Sequence, residues 1–151
     1  MFGIWRSNKE NKKAADRIGQ ILHQQIITAL KLNEQEAGIK LNSSFTTGYI
    51  YGFIRFGFNF QKLEGEQYVD KYFKYICNGV IPNKLYEITQ RRFAALELAK
   101  EIGKEEETKD FETGVEVGVY DASVFNINTN SNTVNLSNYL LGKKLNYKKI
   151  L

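Results

Sequence analysis

The motif F-x-T-G-x-x-x-G occurs twice in this chain, 66 positions apart, and this repeat constrains the possible fold more than any other feature. The first copy runs from Phe45 to Gly52 and the second from Phe111 to Gly118. At the same offset, eight of the 29 positions from Gln24 to Gly52 are identical, where average composition gives about two by chance. We therefore expect an internal duplication of a helical hairpin.

Helical periodicity and end signals predict where the helices lie. Ser7 to Glu10 has the spacing of a capping box, and apolar residues recur at helical spacing after it. Pro82 and Asn83 are residues typical of a helix start. The helices predicted in this way cover residues 8–33, 45–60, 65–77, 83–102 and 110–125.

These helices predict an all-α fold, a bundle built from the duplicated hairpin with the two glycine motifs at its centre. With 42% hydrophobic residues in a chain of 151, the core is large enough for one domain. We place this domain at residues 1–125, with repeat units at about 18–60 and 84–125. Residues 126–151 follow as an Asn-rich arm and a basic C-terminal segment, in which 139–151 is a candidate short amphipathic helix.

The glycines of the two motifs lie inside predicted helices, where each costs about 1 kcal/mol relative to alanine. They are Gly48 and Gly52 in the first helix and Gly114 and Gly118 in the second. Glycines four residues apart share one helix face and let another backbone approach closely. We expect the two helices to cross at these glycines, in parallel or antiparallel. The alternative is that each pair accepts bulky rings from its own unit.

One charged residue, Arg55, interrupts the otherwise uncharged stretch between Leu41 and Gln61. The repeat places Asp121 at the equivalent position. A charge in such an apolar setting is costly unless it is paired. Arg55 and Asp121 are therefore a candidate buried ion pair.

Aromatic residues are concentrated in the middle of the chain. The simplest interpretation is a core built with large rings, and the alternative is a cavity for an apolar or aromatic small molecule. The residues predicted to line that cavity are Tyr49, Phe53, Phe56, Tyr68 and Tyr72.

The sequence offers no signature of a catalytic, metal or cofactor site. His23 is the only histidine and Cys77 the only cysteine, so a zinc site of the usual ligands is not expected. We interpret His23 as a surface or core-edge residue and Cys77 as a small buried hydrophobe. Glu105 to Glu107 precede a predicted helix and suit its positive end. We expect no enzyme, no cofactor and no metal.

Charge is distributed unevenly along the chain. Residues 1–31 hold six basic and two acidic side chains, residues 126–151 hold four basic and no acidic ones, and the middle holds 11 basic and 15 acidic. The basic ends could dock on the acidic body of the same chain or of a neighbouring copy. A nucleic-acid partner is not expected, because no recognisable module carries a basic stripe with stacking aromatics.

These features favour a non-catalytic, cytoplasmic interaction or assembly module that self-associates through its C-terminal arm, with itself or another protein as partner. The first alternative is a small-molecule binder with the aromatic cavity described above. The second is a peripheral membrane protein, since Phe2, Ile4 and Trp5 lie beside Arg6 and nearby lysines. A single cysteine is compatible with a reducing cytosol, and the N-terminus lacks the apolar core of a signal peptide.

Overall fold

The computed structural model describes residues 2–60, 75–76, 91, 94–95, 97–99, 101–103, 105–124 and 134–150. All regular structure in these ranges is helical, so the fold is all-α. The helices are α1 (Phe2–Leu32), α2 (Glu34–Leu41), α3 (Ser44–Phe60), α4 (Glu105–Val124) and α5 (Asn135–Leu140). Residues 75–76, 91, 94–95, 97–99 and 101 are helical as well. The helix predicted over 65–77 otherwise lies outside the described residues.

Helix α1 is longer than the predicted 8–33, because it begins at Phe2. The proposed capping box at Ser7 to Glu10 therefore lies inside the helix and does not start it. Its apolar periodicity does mark the buried face, on which Ile18, Leu22 and Ile26 are completely buried.

Helix α2 was not predicted, since it lies between the predicted helices at 8–33 and 45–60. It begins after Asn33, whose side-chain Oδ1 accepts a hydrogen bond from the backbone N–H of Glu36 at 3.2 Å. The Asn33 amide also donates to the Glu36 carboxylate at 3.3 Å. The first of these bonds satisfies one of the backbone donors that a helix start leaves open, so it stabilises α2 although glycine lies within it.

Helix α3 lies at the centre of the described structure, as its nearly all-apolar surface predicts. Its Tyr49, Ile50, Phe53 and Ile54 are all completely buried. The core around them draws on the other four helices and on Ile76. The buried members from those elements include Ile18, Leu22, Ile26, Ala37, Val117, Ala122, Leu136 and Leu140.

Helices α3 and α4 form the most extensive helix contact in the described structure, and their backbones touch at the motif glycines. A Cβ atom on Gly48 would overlap the carbonyl oxygen of Phe111, and one on Gly114 would overlap that of Phe45. At the next turn, a Cβ on Gly52 would come within 2.5 Å of the Val115 carbonyl oxygen. Real Cβ atoms keep at least 3.0 Å from such neighbours, so only glycine fits here.

The order of these contacts shows that α3 and α4 run in the same direction. Gly48 faces Phe111, one turn later Gly52 faces Val115, and Gly118 faces Tyr49 and Phe53. Residue numbers therefore rise together along both helices. The atoms nearest the glycines belong to the backbone of the opposite helix rather than to rings of the same unit.

Helix α5 ends at a glycine with a left-handed backbone, Gly142, whose φ is 71°. The N–H of Lys143 bonds the carbonyl of Asn138 at 2.7 Å, and the N–H of Gly142 bonds that of Tyr139 at 3.1 Å. These two bonds form a Schellman motif, which stops a helix. The expectation of a helix over 139–151 was therefore wrong: the helix lies earlier, and residues 143–150 are not helical.

No helix among the described residues has the length and apolar character needed to cross a membrane.

The glycine crossing predicts opposite effects for two glycine-to-alanine substitutions. Gly48→Ala would force a methyl group into the α4 backbone, and overpacking of this kind costs about 1–3 kcal/mol or more. Gly38→Ala is the matched control, because Gly38 lies inside α2 with nothing within 4 Å of its missing Cβ. We expect Gly38→Ala to raise the free energy of unfolding by up to about 1 kcal/mol.

Urea unfolding monitored by circular dichroism measures both changes. Equal stability of Gly48→Ala and wild type would contradict the close crossing of α3 and α4.

Candidate functional site

A network of buried polar side chains lies where α1, α3, α4 and α5 meet. Its members are Gln25 (5% exposed), Tyr49 (0%), Asp121 (2%) and Asn135 (3%). Each comes from a different helix. Because buried polar groups are costly when unpaired, the bonds among these four fix how the helices sit.

Tyr49 is the centre of the network. Its hydroxyl donates to Asp121 Oδ2 at 2.5 Å and accepts a bond from Gln25 Nε2 at 3.2 Å. A hydrogen bond to an ionised acceptor is shorter and stronger than one between neutral groups. Tyr49 thus links α1 to α4 through the buried middle of α3.

Asn135 connects this network to the end of the chain. Its Nδ2 donates to Asp121 Oδ1 at 2.7 Å and to the carbonyl oxygen of Asn146 at 2.8 Å. Its Oδ1 accepts from the N–H of Asn146 at 2.9 Å. The amide side chain of Asn135 therefore holds the start of α5 against α4. It also holds the backbone at Asn146 against the start of α5.

Gln25 completes the docking by capping α5 from another helix. Its Oε1 accepts from the N–H groups of Leu136 and Ser137 at 3.1 and 3.3 Å. The residue before α5, Val134, makes no side-chain cap bond. The open donors at the start of α5 are therefore satisfied by α1.

Apolar and aromatic contacts hold the rest of the C-terminal segment, by which we mean residues 134–150. Leu136 and Leu140 are completely buried. The ring of Tyr139 stacks on Phe45 with 3.9 Å between centroids, and its hydroxyl donates to Ser43 Oγ at 2.9 Å. An exposed ion pair between Lys149 and Glu116, at 3.4 Å, adds little because solvent screens it.

Burial raises the pKa of the Asp121 carboxyl above its ordinary value of 3.8. Removal from water is the main cause, and the hydrogen bonds from Tyr49 and Asn135 oppose it. Both of those partners are neutral, so they offset only part of the cost of holding the charge. Asp121 is nearly closed to solvent, and its role in this arrangement is to hold the C-terminal segment in place.

The proposed ion pair between Arg55 and Asp121 is not the arrangement found, because Asp121 is bonded by Tyr49 and Asn135. Arg55 is half-buried and its guanidinium donates to the hydroxyl of Tyr51, one turn earlier in α3. The C-terminal segment causes this difference, since α5 covers the position of Asp121 on α4. The 66-residue offset predicted these two side chains as a pair, and it carries no information on which of them α5 covers.

The predicted cavity residues are only partly described. Tyr49 and Phe53 are completely buried and their rings stack at 5.7 Å, while Phe56 is partly buried against the core. The hydroxyl of Tyr49 is hydrogen-bonded to Asp121 and Gln25. Tyr68 and Tyr72 lie outside the described residues.

His23 is exposed on α1. Cys77 and the side chains of residues 105–107 lie outside what the structure describes, as do the side chains of residues 2–8. In the described part of the chain, no three His, Cys, Asp or Glu side chains are placed to hold a metal ion.

Sequence reasoning missed Gln25 and Asn135. Gln25 had a detectable signal, because it is a polar residue beside Leu22, Ile26 and Ala29 on the buried face of α1. Asn135 had none, since its partners Asp121 and Asn146 lie 14 and 11 positions away.

The raised pKa of Asp121 predicts how stability depends on pH. The folded chain keeps this proton to a higher pH than the unfolded chain, whose carboxyl titrates near 3.8. Between the two pKa values the folded state binds more protons, so the free energy of unfolding falls as pH rises through that window. We expect wild type to gain stability relative to Asp121→Asn as the pH is lowered from about 7 to about 4.

Urea unfolding of both proteins across this pH range is the measurement. Asp110→Asn serves as a control, because it removes the same charge from an exposed position of α4 and should follow wild type. A constant difference between wild type and Asp121→Asn at all pH values would contradict the assignment.

Comparison with known proteins adds no relative from which a role could be transferred. No protein-family model matches the chain, and neither a curated protein nor a solved structure shows significant similarity to it.

Proposed function

We propose that this chain is a non-catalytic, cytoplasmic interaction module that self-associates by exchanging its C-terminal segment between two copies. The observation that supports the proposal is the docking of residues 134–150 through the buried network of Gln25, Tyr49, Asp121 and Asn135. A surface built to bind one end of the chain binds the same end of a second copy equally well.

The C-terminal segment has the features of a peptide ligand. Leu136, Tyr139 and Leu140 follow the i, i+3, i+4 spacing by which a helix enters an apolar groove. The groove is supplied by α1, α2 and α4, and Phe45 of α3 adds the ring that stacks on Tyr139. Gln25 offers an acceptor oxygen to the first turn of the docked helix. Specific polar bonds at one end and apolar anchors along the helix give both selectivity and affinity.

Charge supports a protein partner rather than nucleic acid. Residues 126–151 carry four basic and no acidic side chains, and the middle of the chain has an acidic excess. The contact between Lys149 and Glu116 is one instance of this complementarity. Attraction between the basic segment and the acidic body operates equally between two copies.

The choice between docking within one chain and docking between chains depends on concentration and on the connection from Val124 to Val134. The contacts made are the same in both cases, so their energies nearly cancel. Docking within a chain is favoured by a high effective concentration, and exchange is favoured when the connection is short or the protein concentrated.

We also propose that the two motif helices derive from a duplicated hairpin. The supporting observation is that each contact has a counterpart in which both residues are replaced by their equivalents 66 positions away. The contact of Gly48 with Phe111 has as its counterpart the contact of Gly114 with Phe45. In the same way, Gly52 with Val115 corresponds to Gly118 with Tyr49. An ancestral parallel dimer of one such helix would have had this symmetry.

Mixing two defective full-length variants tests exchange. Asp121→Ala damages the receiving surface and Asn135→Ala damages the segment, but the intact segment of the first can dock on the intact surface of the second. We expect native mass spectrometry of an equimolar mixture, with one variant isotopically labelled, to show heterodimer well above the twofold excess over each homodimer that random pairing gives. The mixture should also melt above the mean of the two separate variants.

Lys148→Ala provides the control, because Lys148 is exposed on the same segment and should behave as wild type. Monomers alone, both for wild type and for the mixture, would reject self-association by this route.

A further inference from the structure

The last part of the C-terminal segment, residues 143–150, lies on the body of the protein without forming a helix or a turn. We call this part the tail. Leu145 and Tyr147 are half-buried and pack against the core, whereas Asn146 between them is exposed. This alternation is typical of an extended chain, in which successive side chains point to opposite sides. The tail therefore binds through two side chains that are separated by one residue facing solvent.

The backbone of Asn146 is held by a single side chain, that of Asn135. The N–H of Asn146 donates to Asn135 Oδ1 at 2.9 Å, and its carbonyl oxygen accepts from Asn135 Nδ2 at 2.8 Å. The carboxamide thus pairs with both backbone groups of one residue, as the opposite residue of an antiparallel strand would. Since every residue except proline carries both groups, these bonds hold an extended chain whatever side chain stands at that position.

Asn135 is oriented for this role by contacts that do not involve the tail. Its Nδ2 also donates to Asp121 at 2.7 Å, and the side chain is buried. The helix that it begins, α5, is held by the bonds from Gln25 and by the burial of Leu136 and Leu140. The surface that receives an extended chain is therefore complete without the tail.

Charge distinguishes the two directions in which an extended chain could lie on this surface. Lys149, two positions after Tyr147, contacts Glu116 of α4 at 3.4 Å. Both charged side chains are partly exposed, so the pair adds little affinity. It favours the direction that brings a basic residue to Glu116. Lys144 and Lys148 are exposed, so the surface makes little demand on those two positions.

We propose that the surface under the tail is a binding site for an extended peptide of a partner protein, and that the tail occupies this site as an internal competitor. The peptide has an aliphatic, an aromatic and a basic residue at alternate positions, which correspond to Leu145, Tyr147 and Lys149. While the peptide replaces the tail, α5 stays docked, so no exchange between copies is needed. The proposal rests on the interaction role proposed above and names its partner.

Competition by the tail determines how the site must be tested. Because the tail is tethered beside the site, its effective concentration is high and an added peptide binds weakly. Loosening the tail should therefore raise the affinity of the full-length chain for the peptide. Asn146→Pro loosens it, because proline lacks the N–H that bonds Asn135 and is tolerated in extended chains. Asn146→Ala is the matched control, since it keeps both backbone groups and changes only an exposed side chain.

Fluorescence anisotropy of a labelled synthetic peptide with the sequence of residues 143–150 measures the binding. We expect Asn146→Pro to bind the peptide at least about tenfold more tightly than wild type, and Asn146→Ala to bind it as wild type does. A second full-length variant, with both Leu145 and Tyr147 changed to alanine, removes the anchors of the tail and should give a similar gain. If neither loosened variant bound the peptide more tightly than wild type, the tail would not be a competitor for this site.

Variants of the peptide separate backbone recognition from attraction between a basic peptide and an acidic surface. Methylation of the backbone nitrogen at position 146 keeps every side chain but removes the donor to Asn135, so the Asn146→Pro protein should bind this peptide at least about tenfold less tightly. A peptide with alanine at positions 145 and 147 keeps its four lysines and should also lose binding. Unchanged binding of the methylated peptide would overturn backbone recognition. Unchanged binding of the alanine peptide would reduce the interaction to charge and overturn the site.

Native mass spectrometry of the Asn146→Pro protein with the unmodified peptide distinguishes this proposal from exchange between copies. We expect one peptide bound to each monomer. Absence of the peptide complex would contradict the peptide site, while exchange through α5 would still be judged by the mixing experiment above. Peptide-bound monomers of a protein that forms no heterodimer in that experiment would reject the exchange and support the peptide site.

Discussion

The backbone contact between α3 and α4 is the constraint on which the other packing depends. Because Gly48 and Gly114 carry no Cβ, the two helices approach until carbonyl oxygens meet the opposite backbone. That approach places Tyr49 within hydrogen-bonding distance of Asp121, since the two side chains come from the two crossing helices. Were the helices kept apart by a methyl group at each glycine, this bond and the network beyond it would be lost.

The crossing is nearly symmetric, yet its surroundings are not. On α4, Asp121 is buried because α5 covers it and Asn135 bonds it. On α3, the equivalent Arg55 remains half-buried and turns to Tyr51. The crossing thus has one covered and one uncovered side, and the covered side is where the end of the chain docks. The polar bonds that hold the C-terminal segment therefore lie on the side where the symmetry of the crossing is broken.

Local patterns explain what could be predicted from the sequence. The all-α class and the central position of α3 depend on periodicity within a few turns, as in the stretch from Tyr49 to Ile54. The Asn33 to Glu36 cap of α2 was also local and was overlooked. The bonds from Gln25 to Leu136 and from Tyr49 to Asp121 join residues 111 and 72 positions apart. No spacing rule connects such positions, because only the folded packing brings them together.

Helix α5 has six residues, and a helix of that length is not stable by itself in water. It exists because Gln25 supplies its first acceptors and Gly142 closes its last turn. Leaving the groove and losing the helix are therefore one event, so α5 is either docked and ordered or free and unstructured. Amide hydrogen exchange within Asn135–Leu140 consequently reports the free energy of docking directly, without a label and without a partner.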